Sequence, residues 1–402
     1  MKIRLVLPGP GREITRIMKR TIVFALAALF PLILLLYGFL WFRYGGGEHA
    51  PALTTAPLWQ DDVLEKVADL DRPPGNIAVS RDGEVYFTFH PEGAPDINVA
   101  RLTGDAAKAA DDATTPIEAY PNLEFQSRFV SPLSLRIDQQ NRLWVLDLAN
   151  HATGTPKIFA FSLADDSLLM EYEIPADIAP LGSHMNDMQI DSAGEFMYIA
   201  DASIFGKNPA LIVFDIKNKS ARRLLENHPS VTAEHFISTV GGREMVMLGF
   251  FVVRPHVDSI ALDTRDEWLY YAAVNAQHMY RIRVKYLRDE RLSARELARK
   301  VERFARKSHS DGITMDSADN IYLSDPEYNA VNVLNARGEF KTLITSPKLR
   351  WPDGFSFGPD GFVYVTCSAL HHVIFQSRSY QSEHEPFQIY RFPGLAPGVA
   401  GH

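Results

Sequence analysis

The sequence of 402 residues contains a single cysteine, Cys367, which excludes an intramolecular disulfide framework. Acidic residues outnumber basic ones, 49 to 41, and several of the basic residues precede position 21, so the rest of the chain is strongly acidic. That balance argues against a nucleic-acid partner. The H-E-x-x-H zinc motif, the G-x-S-x-G nucleophile elbow, the Walker loop and the Rossmann glycine run are also missing. These absences exclude several large enzyme classes, and nothing in the sequence sets an oligomeric state.

One long apolar run is present: residues 21–42, TIVFALAALFPLILLLYGFLWF, carry no charge and reach the ~20 residues that a membrane-spanning helix needs. Basic residues dominate positions 1–20, so the positive-inside rule predicts a cytoplasmic N-terminal segment. The alternative is a cleaved signal peptide, but its apolar region is usually ~7–15 residues and ends in an Ala-x-Ala-like site. The sequence favours an uncleaved cell-membrane anchor, with the body on the extracytoplasmic side.

Residues 43–58, rich in Gly, Ala, Thr and Pro, predict a flexible linker. Within residues 59–402, six segments share an alternating strand, a polar turn and a second strand that carries an aromatic residue, the pattern of a hairpin. They begin at Asn76, Ser134, Asp187, Ser259, Gly312 and Gly354. Their spacing of roughly 40 to 70 residues suits four-stranded blades, some with insertions. The sequence therefore predicts an all-β fold, a six-bladed β-propeller.

Two further segments fit this architecture. Residues 386–394, PFQIYRFPG, alternate like a strand and are predicted to close the ring by pairing its two ends. Residues 293–307, SARELARKVERFARK, combine a capping box, Ser293 and Glu296, with apolar residues at helical spacing. They predict a short helical insertion with a solvated basic face.

Aligned repeats allow equivalent positions to be compared. Four residues before the last apolar residue of each first strand, successive repeats carry Gly75, Leu133, Asn186, Asp258, Asp311 and Asp353. First strands line the channel of a propeller, so these positions form a ring at one mouth. Three carboxylates and an amide there predict a site for an oxygen-liganded divalent ion, Ca²⁺ or Mg²⁺ rather than a soft metal, with Ca²⁺ favoured. The alternative is that each Asp or Asn only starts a turn by accepting backbone N–H bonds.

Aromatic and imidazole side chains lie near the same positions in sequence. His184, Asp187, His256 and Trp351 are candidate ligand-binding residues, and Asp311 with His309 is the candidate catalytic pair. Either a nearby carboxylate or His309 would act as the general base. Each histidine also has a plainer interpretation, as a hydrogen-bonded structural residue.

Five stretches stand out: RLWVLDLAN, MNDMQID, LIVFDI, IALDTRDEWLYYAAVNAQHMYRIRVKYLRDERLS and SHSDGITMDSADNIYLSD. Together they resemble the Yellow and major royal jelly protein family, in particular its bacterial, dopachrome-tautomerase-related members, over roughly residues 75 to 370. It implies a fold similar to gluconolactonase and regucalcin-like propellers, whose channel holds a divalent metal on carboxylate and amide ligands. Asp311 in SDG and Asn186 in MND match that pattern. The glutamate that those lactonases take from the first blade has no counterpart, because Gly75 and Asn76 stand there.

Three functions remain open at this point. The first is metal-assisted chemistry on a small molecule, such as a dopachrome-like tautomerisation or lactone hydrolysis. The second is binding of an amine or aromatic metabolite without turnover. The third is a membrane-displayed scaffold for protein partners, since a fold does not choose among functions.

Overall fold

The computed structural model describes residues 10–103 and 115–402. Within them, one helix is long and apolar enough to cross a membrane: its apolar part, Met18–Tyr44, belongs to α1 (Pro10–Tyr44). This helix and the residues as far as Gly47 form one compact unit with a short hairpin, Val246–Val252. The boundaries predicted for the N-terminal segment, anchor and linker stay predictions.

The rest of the chain forms six antiparallel sheets of four strands. The first three sheets follow the chain directly. They are β2 (Pro74–Val79), β3 (Val85–Phe89), β4 (Val99–Leu102) and β5 (Ile117–Ala119); β6 (Pro132–Ile137), β7 (Arg142–Asp147), β8 (Lys157–Ser162) and β9 (Leu168–Glu173); and β10 (Met185–Ile190), β11 (Phe196–Asp201), β12 (Ala210–Asp215) and β13 (Ser220–Leu224). Two small hairpins follow, β14 (Thr239–Val240) with β15 (Arg243–Glu244), and β16 (Val246–Met247) with β17 (Phe251–Val252).

The second half repeats the pattern. The fourth sheet has β18 (Val257–Leu262), β19 (Trp268–Ala273), β20 (His278–Arg283) and β21 (Glu302–Arg306), and the fifth has β22 (Ile313–Met315), β23 (Ile321–Asp325), β24 (Ala330–Leu334) and β25 (Phe340–Thr345). The sixth joins β26 (Pro352–Phe357), β27 (Phe362–Cys367) and β28 (Phe387–Pro393) to β1 (Glu65–Leu70). Short helices lie in the connections: α2 (Ala149–Ala152), α3 (Val284–Arg288), α4 (Ala294–Ala298) and α5 (Arg378–Ser382).

The first strand of each sheet adjoins the first strand of the next, and β26 adjoins β2, so the ring is closed. The six-bladed propeller is thereby confirmed, and so is the predicted closure, because β28 pairs with β1 along Glu65–Leu70. Apolar clusters fill the space between neighbouring blades, for example between the second and third and between the third and fourth. Inner strands such as β6 and β18 are buried along their whole length.

The repeated turn has a local cause. After the inner strand of the second blade, Asp138 accepts hydrogen bonds from the backbone N–H groups of Gln140 and Arg142 and from the Trp144 indole. Asp316 does the same work in the fifth blade and binds the Tyr322 hydroxyl at 3.1 Å. In these two blades the aromatic residue of the second strand is thus held by the turn before it.

The insertion near residue 293 differs in extent from the prediction. Both hydrogen bonds of the capping box are present, and α4 begins at Ala294, but it ends at Ala298. Residues Glu302–Arg306 form β21, which pairs with β20 and lays Phe304 against the ring of Tyr270. Pairing with an existing sheet edge outweighs the helical spacing of this segment.

The segment predicted to be a linker makes hydrogen bonds to the propeller. Glu48 pairs with Phe236, and the backbone N–H of Thr55 donates to the Thr342 hydroxyl at 3.0 Å. At the other end of the chain, the carbonyls of Gly401 and His402 accept from the N–H groups of Ile137 and Phe357, at the far ends of two inner strands.

Candidate functional site

The residues that the repeats align do meet at one mouth of the channel. The Asn186 amide hydrogen-bonds the Asp258 carboxylate, and the Asp258 carboxyl is hydrogen-bonded in turn to Asp311. Asp353 lies close enough to feel the charges of Asp311, Asp187 and Asp258. Four residues far apart in sequence thus form one cluster, which we call the channel acid cluster together with Asp187.

A backbone irregularity recurs at this level. The ladder between first and second strands shifts register at Pro74/Ile77, Pro132/Ser134, Met185/Met188, Val257/Ser259 and Pro352/Phe355. A bulge frees a residue from strand pairing and re-aims its side chain, and bulges are enriched beside active sites. In the third blade the shift lets both Asn186 and Asp187 reach the channel.

An arginine compensates part of the acidic charge. Arg136 is fully buried on β6; its Nη1 donates to Asn76 Oδ1 at 2.6 Å, and its Nη2 lies 3.8 Å from Asp187 Oδ1. Asn76 Nδ2 in turn donates to Asp187 at 2.6 Å. Arg136 Nε and Nη2 are buried without a hydrogen-bond partner among the described residues. Such unused donors are expensive, so this position suits an oxygen of a ligand.

Burial and mutual repulsion change the protonation of these acids. Burial raises the pKa of Asp187 to about 6, although Arg136 opposes the change. Burial, followed by the charges of Asp311 and Asp187, raises the pKa of Asp258 well above its usual range. Burial is also the largest cause of the raised pKa of Asp353, and its neighbour Asp311 is the next. Without a cation, the cluster therefore holds its protons to higher pH than isolated carboxyl groups do.

A second cation nearby is only partly charged. Lys307 is buried, its Nζ donates to the carbonyls of Val274 and Ser308 at 3.2 and 3.0 Å, and burial lowers its pKa to about 7. The acid cluster thus keeps an excess of negative charge over its protein partners when its carboxyl groups ionise.

Trp351 contacts the cluster directly, as its position before β26 predicts. Its Nε1 donates to Asp311 Oδ2 at 2.6 Å, and its ring stacks on His371 with centroids 6.2 Å apart. Its φ of 53° is in the left-handed region, which costs a bulky residue on the order of 1–3 kcal/mol. The strained backbone fixes the indole against Asp311.

The predicted histidines lie elsewhere. His309 Nδ1 bonds the Ser238 hydroxyl at 3.0 Å and pairs with Glu327 at 3.1 Å, so its contacts are with those residues and not with Asp311. His256 Nδ1 accepts the N–H of Ala233 at 2.9 Å, and burial lowers its pKa to about 3. The contacts of both rings therefore agree with the alternative interpretation, in which each histidine is a hydrogen-bonded structural residue.

His184 takes part in a separate cavity beside the mouth. Its Nδ1 lies 2.8 Å from His151 Nδ1, with the rings stacked at 4.7 Å. His90, Glu92 and Leu133 also line this cavity of about 210 Å³. His151 reaches the position because residues 149–152 all have positive φ.

The donor set of the cluster fits a hard divalent ion only if an amide is counted. Across residues 10–103 and 115–402, no group of three or more His, Cys, Asp or Glu side chains is placed to hold a metal. The Asp258 carboxylate accepts a hydrogen bond from the Asn186 amide N–H and is hydrogen-bonded to Asp311, and carboxylate and amide oxygens are the donor types of Ca²⁺ sites.

Sequence reasoning missed Asn76, Arg136 and Lys307. A signal existed for Arg136, which is a charge at an inward position of the otherwise apolar strand PLSLRI. Lys307 ends the segment for which a solvated basic face was predicted, and for this residue the prediction is wrong: it lies outside the strands and is buried by packing that the sequence does not reveal.

Comparison with solved structures places the fold among known propellers. A calcium-binding regucalcin from Agrobacterium tumefaciens covers 86% of this chain and 99% of its own, with a TM-score of 0.54 and 13% identity. A gluconolactonase from Xanthomonas campestris covers 82% and 89%, with a TM-score of 0.51 and 12% identity. At these identities the likeness concerns the fold.

Sequence comparison gives the family. The family model of the major royal jelly proteins matches residues 130–356, more than half of the chain, and the protein belongs to that family. Major royal jelly protein 1 of Apis mellifera is 26% identical over 201 residues, which is 45% of this chain and 44% of that protein. Major royal jelly protein 7 of the same bee is 29% identical over 185 residues, 42% and 40% of the two chains. The chain thus matches less than half the length of these relatives.

Proposed function

We propose that the channel mouth binds a small carbonyl-containing molecule together with a divalent cation, and that it promotes tautomerisation or hydrolysis of that molecule. The supporting observation is that Asn186, Asp258 and Asp311, from three different blades, are joined by hydrogen bonds, with both carboxyl groups buried. The regucalcin fold relative is described as calcium-binding, which makes Ca²⁺ the first ion to test.

The charge of the site supports a cationic partner. Two unit charges 4 Å apart at an effective dielectric of 20 interact by about 4 kcal/mol. Four carboxyl groups share this mouth with Arg136 and the half-neutral Lys307. A cation between Asp258 and Asp311 would replace the proton that they otherwise share. Its binding would be favoured because it removes the repulsion between the two carboxylates.

The roles of the side chains follow from their surroundings. A bound divalent ion would supply Lewis acidity toward a carbonyl or enolate oxygen. Arg136 offers unused N–H groups to a second oxygen of the ligand. Burial and the neighbouring acids raise the pKa of Asp353, which makes its carboxylate a stronger base than an isolated aspartate. In this proposal Asp353 is the general base in place of His309, which Glu327 and Ser238 occupy.

The test is ion-dependent stability of the purified full-length chain in detergent. Ca²⁺ at a hundredfold excess over its dissociation constant should stabilise the fold by about 2.7 kcal/mol. Asp311→Asn should remove most of that gain, whereas Asp319→Asn, on a turn paired with Arg265, should keep it. Absence of any thermal shift with Ca²⁺, Mg²⁺ or Mn²⁺ would overturn the ion site. Turnover of lactones and dopachrome, compared between the parent and Asp353→Asn, then tests the chemistry.

A second candidate is binding of an organic amine without turnover. Trp351 holds its indole beside the Asp311 carboxylate, and an aromatic face next to an acid is a set that recognises ammonium groups. Saturable amine binding that Trp351→Leu weakens, with no product formed, would favour this candidate over the enzyme.

We also propose that α1 anchors the chain in the cell membrane, with the propeller outside the cytoplasm. Its exposed apolar side chains and the preceding basic residues support this orientation. Full-length chain should remain in the pellet after alkaline carbonate extraction of membranes. A protein recovered without its first 42 residues would instead indicate a cleaved signal.

A further inference from the structure

The hairpin of β16 and β17 presents apolar residues at its turn. Leu248 and Gly249, with φ of 53° and 73°, form the centre of the turn, and Phe250 N–H donates to Met247 O at 3.1 Å. Turns with two positive φ values normally carry Asn, Asp or Gly. Here a leucine that is 71% exposed occupies the first position, where it costs roughly 1–2 kcal/mol of backbone strain. A turn that faces water would gain nothing from this backbone strain or from the exposed leucine side chain.

The same hairpin contacts the end of the apolar helix, in the compact unit that they share. Phe250 makes an edge-to-face contact with Tyr37 at 5.6 Å, and Phe251 lies 5.4 Å from Tyr44. The approach is close at Gly45, where an added β-carbon would lie 2.9 Å from the Phe250 carbonyl oxygen.

Those helix residues are of the types found at a membrane surface. Tyr37, Trp41 and Tyr44 lie in the last turns of α1, over about 10 Å of helix at 1.5 Å per residue. Aromatic residues at the end of a spanning helix mark the headgroup level. The hairpin rings therefore lie at the level where α1 would leave the bilayer.

We propose that the hairpin tip, Leu248 to Phe250, enters the lipid headgroup region beside α1 and is a second membrane contact of this protein. The inference rests on the proposed anchor and is independent of the chemistry at the channel mouth. Lipid explains both the exposed leucine and the preference for phenylalanine over polar turn residues.

The experiment uses full-length chain reconstituted in phosphatidylcholine and phosphatidylglycerol liposomes, with Leu248→Cys carrying an environment-sensitive NBD dye. Cys367 is fully buried and burial raises the pKa of its thiol to about 12, so it stays unlabelled. The dye should show blue-shifted emission and lose most of its fluorescence to headgroup and shallow doxyl quenchers. Lys219→Cys, at an exposed turn with a similar φ of 50°, is the matched control and should emit as in water.

Two outcomes overturn the inference, and they differ. Equal, water-like emission from both labelled positions on chain that floats with liposomes would reject the hairpin contact alone. Chain that fails to float would reject the anchor and the hairpin contact together. Gly45→Val, in the Leu248→Cys background, should reduce quenching without loss of flotation, because its side chain would collide with the Phe250 carbonyl.

Discussion

Asp353 is the carboxylate of the channel acid cluster with the least compensation. In the described part of the chain it has no side-chain hydrogen bond, while Asp311, Asp187 and Asp258 surround it and only Arg136 opposes them. A group whose pKa is raised on folding binds more protons in the native state than in the unfolded chain. Its ionisation therefore costs stability as pH rises from the unfolded pKa through the folded one.

Asp353→Asn should stabilise the ion-free protein at pH 8, because asparagine resembles the protonated acid in shape and carries no charge. The gain should reflect the burial and the neighbouring charges that raise the pKa of Asp353 above its usual range. At pH 5 a larger fraction of the parent side chain is protonated, so the gain should be smaller. Urea unfolding in EDTA at both pH values measures the difference.

Asp360→Asn is the control, because Asp360 lies on an outer turn with Arg391. It should show no gain at pH 8. A destabilised Asp353→Asn at both pH values would mean that Asp353 contributes a favourable interaction in the ion-free fold, and the account of the acid cluster would need a different source of strain.

At the scale of elements, local sequence patterns predicted the hairpins and the helix start, which depend on interactions between residues close in sequence. The six inner hairpins follow from alternating residues and Asp-containing turns, and α4 begins where its capping box lies. The end of α4 was not predictable from spacing, since Glu302–Arg306 becomes a strand only because β20 offers an edge. Helical and extended forms of that segment differ little until the sheet is present.

The candidate site likewise has residues whose place was predictable from the sequence and residues whose place was not. Asn186, Asp258, Asp311 and Asp353 were predictable because the repeats place equivalent positions at one mouth. The directions in which the His256 and His309 rings point were not predictable, because each ring is hydrogen-bonded by a residue from a distant loop, Ala233 or Ser238. The register shifts that aim Asp187 inward are also set by strand pairing.

At the scale of the whole molecule, closure of the ring determines the geometry of the channel mouth. The acid cluster draws residues from four blades, so its geometry depends on every blade remaining in place. The antiparallel pairing of β1 with β28, where Glu65 faces Arg391, joins the two ends of the propeller sequence. The two strands are separated by nearly the whole propeller sequence, and their pairing therefore carries a large loop-closure entropy.

A disulfide across that pair should stabilise the closed ring. We expect the double variant Glu65→Cys with Arg391→Cys to form the bond, because paired strand residues lie within bonding distance. Loops longer than 100 residues give an upper estimate of about 5 kcal/mol in the chain-entropy model. Urea unfolding of the oxidised and reduced forms of the same variant measures this, since the lost surface ion pair cancels between them.

The single variant Glu65→Cys supplies the control, and its stability should not depend on reductant. If ring closure holds the acid cluster together, oxidation should also raise Ca²⁺ affinity at the mouth, because the ligands would then be preorganised before the ion binds. A bond that forms and stabilises the fold without changing ion affinity would show that the mouth is already rigid when the outer strands of the sixth blade are free to separate.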